Sequence, residues 1–274
     1  MRVAVVGHVE WIEFARVPHL PSAGEIVHAL EAWEAPAGGG AVAVVQLAKL
    51  AGAATFYTAL GDDERGHRTE RGLTELGVRV RAAYRPEPQR RGFTHLDADG
   101  ERTITIIGRR HGPKAEDGLP WDELDDTAAV YFTAGNPGAV REARRAGALV
   151  ATPRAFAELV EARVELDALV SSGSDPGERY DVGRLEPPPR VVVRTAGAEG
   201  GTFETADGRR GRFEATPLPG PPKDAYGCGD SFAAGLTYGL GAGMELEAAL
   251  HLAARCGAAC LTGKGPYEGQ LRQA

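Results

Sequence analysis

Residues 224–230 read Asp-Ala-Tyr-Gly-Cys-Gly-Asp, and an apolar segment follows them with helical spacing through Phe232, Leu236 and Leu240. Two glycines around a small residue, placed directly before such a segment, predict a glycine loop leading into a helix N-terminus. Such a terminus attracts anions through its unpaired N–H groups and the helix dipole, and glycine lets a phosphate approach the backbone. Asp230 is then either the N-cap of the helix or a general base beside an anion site.

The same stretch resembles the C-terminal signature of the ribokinase-like (PfkB) carbohydrate kinase family, D-[TS]-x-G-[AC]-G-D-x-F-x-x-G. The match departs from the signature at Ala225, where the family has a hydroxyl residue. The resemblance implies that Asp230 is the catalytic base that deprotonates a sugar hydroxyl. It further implies an anion hole for the γ-phosphate, built from the backbone amides of Gly227, Cys228 and Gly229.

Length and composition limit the classes of protein to consider. The chain has 274 residues, enough for one large α/β domain or two small ones, and a formal net charge of −7. A nucleic-acid partner is disfavoured, because there is no lysine-rich run and no basic stripe with interleaved aromatics. No apolar run is long enough to cross a bilayer, and the chain starts directly with a strand, so we expect a cytoplasmic protein without membrane contact. Cys228, Cys256 and Cys260 form no C-x-x-C pair, which suits a reducing compartment.

Strand and helix patterns alternate along most of the chain. Val3–Val6 is a short apolar run typical of a strand buried on both faces, and runs between residues 128 and 170 alternate with helical segments. This order predicts a parallel sheet with helices on both faces. The resemblance implies the same architecture, an α/β, ribokinase-like fold whose central, mostly parallel sheet is flanked by helices and carries a small β-sheet lid. No linker divides residues 1–274, which we expect to form a single kinase domain.

Two segments of alternating polarity predict a β-hairpin outside the main sheet. Residues 91–97 and 102–107 flank Asp99-Gly100, a strong turn signal. The resemblance assigns segments at about 24–34 and 91–107 to a lid that covers the sugar, and it implies a homodimer formed through that lid. A closing lid would exclude water from phosphoryl transfer. The alternative to a lid is that the hairpin is a structural insertion with no role in covering a ligand.

The acceptor-binding half departs from the family pattern. A helix containing Leu-Ala-Lys-Leu resembles the family's N-terminal signature, G-G-x-x-x-N, whose glycines let the sugar lie against the backbone. The glycines are present as Gly38, Gly39 and Gly40. The asparagine that binds sugar hydroxyls is replaced by Val42, which cannot form that hydrogen bond, and the usual aspartate after the first strand is replaced by Ile12.

Two charged residues are further candidates for acceptor binding. Glu10 is the nearest acid that can replace the missing aspartate, although a solvated loop acid would look the same. Arg109 follows the hairpin together with Arg110, and arginines there are able to bind a substrate carboxylate or phosphate bidentately. An exposed charge is the alternative for Arg109.

Two glycine turns resemble nucleotide-binding segments of the family. Residues 195–200 match T-x-G-x-x-G, which faces the ATP phosphates, and residues 262–266 are close to T-x-K-G-A, which borders the adenine pocket. A glycine turn into a hairpin explains the first of these equally well on its own. The predicted cofactor-binding residues are Thr195, Gly197, Gly200, Lys264 and Gly265.

Three carboxylates are the candidate metal ligands. Asp175-Pro176-Gly177-Glu178 resembles N-x-x-E, whose glutamate positions magnesium through water, with Asp175 in place of asparagine. An acidic loop with a proline turn is the alternative. The resemblance also places a monovalent cation next to Asp224. The implied cofactors are therefore ATP and Mg²⁺, with K⁺ as a third candidate.

These features predict an ATP-dependent phosphotransferase that acts on a hydroxyl of a sugar or sugar-like small molecule. Two alternatives stay open. A nucleoside kinase of the same fold needs an aromatic side chain near the lid, and Trp11, Trp33 and Phe93 are the candidates. A non-catalytic ligand sensor is favoured by the two replaced sugar-binding positions and disfavoured by the retained Asp230.

Overall fold

The computed structural model describes residues 1–98 and 100–272. Its strands are β1 (Val3–Val6), β2 (Glu10–Arg16), β3 (Glu31–Ala37), β4 (Ala54–Gly61), β5 (Val78–Arg85), β6 (Arg91–Leu96), β7 (Arg102–Ile107), β8 (Ala129–Phe132), β9 (Ala148–Ala151), β10 (Ala168–Ser172), β11 (Val191–Thr195), β12 (Gly201–Thr205) and β13 (Arg210–Phe213). Its α-helices are α1 (Gly39–Ala51), α2 (Glu64–Glu75), α3 (Pro137–Ala143), α4 (Phe156–Ala162), α5 (Cys228–Gly241) and α6 (Leu246–Leu261).

The main sheet has nine strands in the order β13-β12-β11-β10-β9-β8-β1-β4-β5. The strands from β11 to β5 are parallel, and β12 and β13 continue the sheet in antiparallel fashion. Strands β1, β8 and β9 are buried along their whole length, which explains their continuous apolar sequences. The predicted mostly parallel α/β sheet is confirmed.

Helices cover both faces of this sheet. Alternate residues of β1 enter the two layers, since Val3 and Val5 pack in a cluster with α1, α5 and α6, whereas Ala4 and Val6 pack with α3 and α4. Because both faces are filled by apolar contacts, polar chemistry is confined to the ends of the strands.

The remaining strands form a separate sheet in the order β3-β2-β6-β7. The predicted hairpin is confirmed, because β6 and β7 pair in antiparallel register with Arg91 opposite Ile107. Asp99, in the predicted turn, lies outside the described residues. The strand expected near residues 24–34 begins later, at Glu31, and residues 17–30, all of them described, contain no strand. That stretch is largely exposed, including its apolar side chains Ile26 and Leu30.

The sequence pattern does not indicate strand β2, which is central to the small sheet. Its two glutamates, Glu10 and Glu13, interrupt the apolar alternation that marks a strand. The structure shows why the strand forms nonetheless: Ile12 and Phe14 are fully buried and pack with Leu96 of β6. Tertiary packing therefore outweighs the weak local pattern.

The carboxyl ends of the parallel strands meet at one edge of the main sheet. The chain passes from β1 into β2 through residues 7–9, so the small sheet is attached at the same edge. In open parallel sheets, ligands bind at this edge. The residues at or just beyond these strand ends include His8, Thr133, Arg154, Asp175 and Thr195. None of the helices in the described parts of the chain has the length and apolar character that crossing a membrane requires.

Candidate active site

Two helices begin side by side at this edge, and a glycine precedes each of them. Helix α1 follows Gly38 (φ 87°) and α5 follows Gly227 (φ 81°), both in left-handed conformations that favour glycine. The two N-termini are in contact, since a Cβ added at Gly227 would lie 2.7 Å from Cγ1 of Val42. Because glycine has no side chain to cap a helix, the first-turn N–H groups are available to an anion.

Tyr226 and Asp224 fix the geometry of the two glycine loops. The hydroxyl of the buried Tyr226 accepts a hydrogen bond from the amide of Gly38 at 3.1 Å, which ties the α5 loop to the α1 loop. Asp224 accepts hydrogen bonds from the amides of Tyr226 (2.8 Å) and Gly265 (3.0 Å). Burial raises the pKa of Asp224, and these two hydrogen bonds oppose that rise. Asp224 thus acts as an anchor for the loop around it.

Asp230 lies in the first turn of α5 and faces the start of α1. A Cβ added at Gly39 would lie 2.7 Å from Oδ1 of Asp230. The helix begins at Cys228 with Gly227 as its N-cap, so Asp230 is not the N-cap. Burial raises the pKa of Asp230 to about 7 and the charge of Glu178 adds to this, whereas Arg102 and Arg154 lower it. A carboxylate with this pKa is suited to take a proton from an alcohol near neutral pH.

The predicted anion hole is open. A Cβ added at Gly229 would meet no atom within 4 Å, so no side chain fills the space in front of that residue. The thiol of Cys228 has a raised pKa because of its hydrogen bond with the thiol of Cys260 and because of burial. A neutral thiol does not repel a phosphate that approaches the first turn of α5.

Glu10 lies beside the other glycine loop, where a Cβ added at Gly38 would be 3.4 Å from its Cγ. Oε1 of Glu10 forms an ion pair with Nε of Arg90 at 3.0 Å, and the Glu10 side chain is only 7% exposed. Burial raises the pKa of Glu10, whereas the charges of Arg90, Arg110 and Arg154 lower it. The alternative of a solvated loop acid is therefore wrong.

His8 is a third side chain beside Gly39 and Glu10, and no sequence motif indicates it. Its Cε1 would lie 3.7 Å from a Cβ added at Gly39, and its Nε2 is 3.9 Å from Oε1 of Glu10. Burial holds the pKa of His8 well below its ordinary value, and the positive charges of Arg110 and Arg90 act in the same direction. His8 is therefore neutral. Its position just past the first buried strand is a signal that could have identified it.

The arginines at the site also differ from the sequence-based candidate. Arg109 is exposed and has no hydrogen bond or ion pair with any residue that the structure describes, so its acceptor-binding role stays a prediction. The charges that act on His8 and Glu10 belong to Arg90, Arg110 and Arg154 instead. Arg110 is the neighbour of Arg109 in the segment after the hairpin and is exposed as well. No local pattern marks Arg90 and Arg154, because their proximity depends on the folded hairpin and on β9.

The predicted metal ligands are engaged by other protein groups. Arg154 forms ion pairs with Glu178 (2.6 Å) and with Asp175, and Asp175 also accepts a hydrogen bond from the amide of Gly177 at 2.8 Å. Across residues 1–98 and 100–272, no three or more His, Cys, Asp or Glu side chains form a group able to hold a metal ion. A magnesium ion bound to nucleotide phosphates needs only one or two carboxylates. The residues present fit a metal ion that arrives with a nucleotide, and Asp224 does not join Asp175 and Glu178 in a common site.

The first predicted nucleotide turn lies at the same edge of the sheet. Thr195 ends β11 and pairs with Ser172 of β10, the strand that leads to Asp175. Gly197 and Gly200 form a tight turn into β12, in which the amide of Ala196 donates to the carbonyl of Gly200 at 2.7 Å. The turn is accessible from the edge, and its role in nucleotide binding stays a prediction.

The second predicted nucleotide segment contacts the small sheet. The ammonium group of Lys264 pairs with Glu31 and lies 4.4 Å from the centroid of the Trp33 ring, and both partners belong to β3. The amide of Gly265 is bonded to Asp224. In this structure, the Lys264 side chain therefore holds the segment after α6 against the small sheet.

The two replaced sugar-binding positions belong to an apolar cluster. Val42 and Ile12 are fully buried and pack with Phe14 and Leu96. Ile12 also lies against β6, since a Cβ added at Gly92 would be 2.7 Å from its Cδ1. Both side chains therefore stabilise the junction between α1 and the small sheet.

Comparison with known proteins identifies the family. A family model described as pfkB family carbohydrate kinase matches residues 1–153 and 165–273, nearly the whole chain. The chain belongs to this family. The predicted ribokinase-like carbohydrate kinase assignment is thereby confirmed at the level of the pfkB family.

Relatives and solved structures agree with the pfkB assignment. The chain is 27% identical over 285 residues to an ATP-dependent ribose-1-phosphate kinase of Halopiger xanaduensis, covering 94% of this chain and 91% of the relative. It is 28% identical over 294 residues to a fructokinase of Salmonella typhimurium, covering 88% and 92%. The crystal structure of a putative ribokinase from Agrobacterium tumefaciens superposes with a TM-score of 0.81 at 20% identity, covering 98% of this chain and 94% of that one. The last comparison shows that the fold is ribokinase-like.

Proposed function

We propose that this pfkB family kinase transfers the γ-phosphate of ATP to a hydroxyl of a sugar or sugar-like acceptor, with Asp230 as the general base. The observation that carries the proposal is the position of the Asp230 carboxylate, which faces Gly39 between two helix N-termini. Its raised pKa, about 7, supports this role. The name of the Halopiger relative supports ATP as the phosphoryl donor.

In the proposed mechanism, Asp230 takes the proton of the acceptor hydroxyl as the hydroxyl oxygen attacks the γ-phosphorus and the bond to ADP breaks. The N-terminus of α5 stabilises the negative charge on the transferring group. The donors there are the amides of Gly227, Cys228 and Gly229. On the acceptor side, Glu10 accepts hydrogen bonds from acceptor hydroxyls, and the glycines after β3 let the acceptor approach the backbone.

The nucleotide would lie along the carboxyl ends of β10 and β11, with Thr195, Gly197 and Gly200 facing its phosphates. Lys264 and Gly265 would border the base. Mg²⁺ bound with ATP supplies neutralisation of phosphate charge, and Glu178 and Asp175 are the carboxylates that would contact its water shell. A K⁺ site beside Asp224 is proposed from the family resemblance, and a dependence of the rate on K⁺ tests it.

We also propose that the protein is a cytoplasmic homodimer joined through the small sheet. The three cysteines are free thiols, which fits a reducing compartment. Strand β7 exposes Ile104 and Ile106 on one face, an apolar surface that a second copy of the sheet would cover.

The proposed function is tested by measuring ADP release with a panel of acceptors, including ribose, ribose 1-phosphate, fructose and adenosine. We expect ADP release that depends on a sugar or sugar phosphate. A preference for adenosine would favour a nucleoside kinase. Two of the three aromatic candidates for stacking on a base are engaged within the protein, because Trp11 is covered by Arg68 and Trp33 is stacked on Phe14. The half-buried Phe93 of β6 is the candidate that is left. Ligand binding without ADP release for every acceptor would indicate a sensor.

A further inference from the structure

We propose that Cys228 and Cys260 form a reversible disulfide bond when the protein is exposed to a peroxide, and that this bond inactivates the anion hole at the start of α5. The effect of the bond on activity rests on the proposed function. The bond itself can be detected whether or not the protein is a kinase.

The two cysteines lie where α5 and α6 meet. Cys228 is the first residue of α5, and Cys260 is next to the last residue of α6. The helices are in contact at this end, since a Cβ added at Gly257 would lie 3.3 Å from the carbonyl oxygen of Cys228. Gly257 precedes Cys260 by three residues, and residues three apart lie on the same face of a helix. The side chain of Cys260 is therefore directed towards the start of α5.

The thiols of the two cysteines are in direct contact. The thiol of Cys228 donates a hydrogen bond to Sγ of Cys260. The thiol of Cys260 in turn donates to the carbonyl oxygen of Tyr226 at 3.4 Å, two residues before Cys228. A disulfide requires cysteines that lie close together and side chains that converge. Two hydrogen-bonded thiols meet this requirement.

The two thiols differ in exposure and in acidity. Cys228 is half-buried and precedes Gly229, which has open space in front of it, whereas Cys260 is fully buried. Hydrogen bonds from Cys228 and Ser231 lower the pKa of Cys260, against the effect of burial. A small oxidant therefore meets Cys228 first, and Cys260 is the thiol that loses its proton more readily.

The oxidation balances with hydrogen peroxide as the oxidant. In the first step, the O–O bond breaks as one oxygen is transferred to Sγ of Cys228, which gives a sulfenic acid and water. In the second step, Sγ of Cys260 attacks Sγ of Cys228, the S–O bond breaks, and the hydroxyl group leaves as water with the thiol proton of Cys260. The two thiols are oxidised and the peroxide is reduced. Because the pKa of Cys228 is raised by its hydrogen bond and by burial, the first step is slow at neutral pH and faster at higher pH.

The bond would act on the anion hole through the backbone of Cys228. A disulfide is about 2.05 Å long, shorter than a contact between two thiols, so Cys228 has to move towards α6. Its amide is one of the proposed donors to the γ-phosphate, and the flanking Gly227 and Gly229 have no side chains to resist the movement. We expect the oxidised protein to release ADP roughly 100-fold more slowly than the reduced protein, the effect of losing one donor of an oxyanion hole.

The test follows the disulfide and the activity in the same samples. The wild-type protein is treated with hydrogen peroxide, free thiols are blocked by alkylation, and peptides are analysed by mass spectrometry without reduction. We expect a linkage between Cys228 and Cys260 with Cys256 alkylated, a parallel loss of ADP release, and reversal of both by dithiothreitol. Absence of the linkage, or full ADP release by protein that carries it, overturns the inference.

Cysteine variants assign the effect to particular residues. Cys260→Ser keeps a donor for the carbonyl of Tyr226, so its activity before oxidation should be unchanged, whereas the linkage and the reversible loss of ADP release should disappear. Cys256→Ser is the matched control, because Cys256 lies one turn earlier on α6 and packs against Gly235, where an added Cβ would be 2.9 Å from its Sγ. This variant should respond to peroxide like the wild type. Equal inactivation of Cys260→Ser and the wild type, or resistance of Cys256→Ser, overturns the assignment.

Protection by nucleotide tests the connection to the anion hole. A phosphate at the N-terminus of α5 would occupy the open space beside Cys228, so a bound, non-hydrolysable ATP analogue should slow formation of the linkage. An unchanged rate with the analogue bound overturns the connection between the disulfide and the anion hole. A linkage that forms in a protein without ADP release for any acceptor would support the disulfide and contradict the proposed function.

Discussion

Asp230 is a carboxylate whose proton affinity is set by its surroundings. Its pKa is raised from an ordinary 3.8 to about 7, first by burial and then by Glu178, against the opposing charges of Arg102 and Arg154. Because the folded-state pKa lies above the unfolded one, the folded protein holds this proton more tightly. Asp230 therefore contributes stability at low pH that is lost as the pH rises from about 4 towards about 7. With this pKa, the general base proposed at Asp230 would titrate near neutral pH.

The first prediction concerns the acidic limb of the pH–rate profile. A base must be deprotonated, so kcat/KM for the acceptor should rise with pH and level off above about 7. Glu178→Gln removes a negative charge and leaves Arg154 less compensated, and both changes lower the pKa of Asp230. The limb should therefore move to lower pH, whatever happens to the maximal rate.

A matched control for this prediction is Glu165→Gln, which breaks a comparable ion pair with Arg190 at 2.7 Å, among exposed side chains outside the site. Its limb should coincide with that of the wild type. A limb that moves to higher pH in Glu178→Gln, or that does not move, would contradict the assigned electrostatics.

The sequence indicates the candidate residues that stand in a motif. Asp230 and the glycines before it follow from a short pattern typical of a glycine loop at a helix N-terminus, whereas Glu10 is a candidate only as the acid nearest to a missing aspartate. Arg90 and His8 could not be found in this way, because their positions at the site arise from strand register and burial. For Val42, the sequence shows only that the residue departs from the family pattern. Its packing against Gly227 is visible only in the structure.

At the scale of elements, the site is the meeting point of two helix N-termini. Gly227 immediately precedes α5 and Gly229 lies in its first turn, and the two glycines have different surroundings. Gly227 has a φ of 81° and lies against Val42, whereas Gly229 has open space in front of it. The first serves the fold, and the second leaves room for a ligand.

The second prediction separates these two tasks. Gly229→Ala adds a methyl group where no atom lies within 4 Å, so the protein should fold with unchanged or slightly higher stability, by up to about 1 kcal/mol. The same methyl group would occupy the space proposed for the γ-phosphate, so kcat/KM for ATP should fall by roughly 100-fold. Steady-state kinetics and thermal unfolding measure the two effects.

Gly227→Ala is the companion variant, and it should lower the melting temperature because of its positive φ and its contact with Val42. If Gly229→Ala keeps full activity, the proposed anion hole is not the phosphate site.

At the scale of the whole molecule, two sheets of different character meet at one edge. The main sheet was predictable because strands buried on both faces leave continuous apolar runs that alternate with helices. Its strand order, in which β1 lies between β4 and β8, is given only by the structure. The small sheet was predictable only in part. Its hairpin carries a turn signal, but β2 is stabilised by the burial of Ile12 and Phe14, and β3 begins only at Glu31, after an exposed stretch.

The third prediction concerns the exposed face of the small sheet. Ile104 and Ile106 are each 38% exposed on β7, and a second copy of the chain would bury them. Sedimentation should show a dimer of the 28.9 kDa chain, and Ile106→Lys should shift it to the monomer without unfolding it. Arg209→Gln, in the turn between β12 and the edge strand β13 of the main sheet, should leave the dimer intact. If the wild-type protein sediments as a monomer, the proposal of a dimer is contradicted.

The most direct test of the account is the rate of phosphoryl transfer by Asp230→Asn. Asparagine keeps the shape of the side chain but cannot accept the proton, so kcat should fall by roughly 10²- to 10⁴-fold, while binding of a non-hydrolysable ATP analogue stays nearly the same. The melting temperature at pH 8 should rise, because the buried charge is gone. A folded Asp230→Asn variant that turns over at the wild-type rate would contradict the central claim that this carboxylate is the general base.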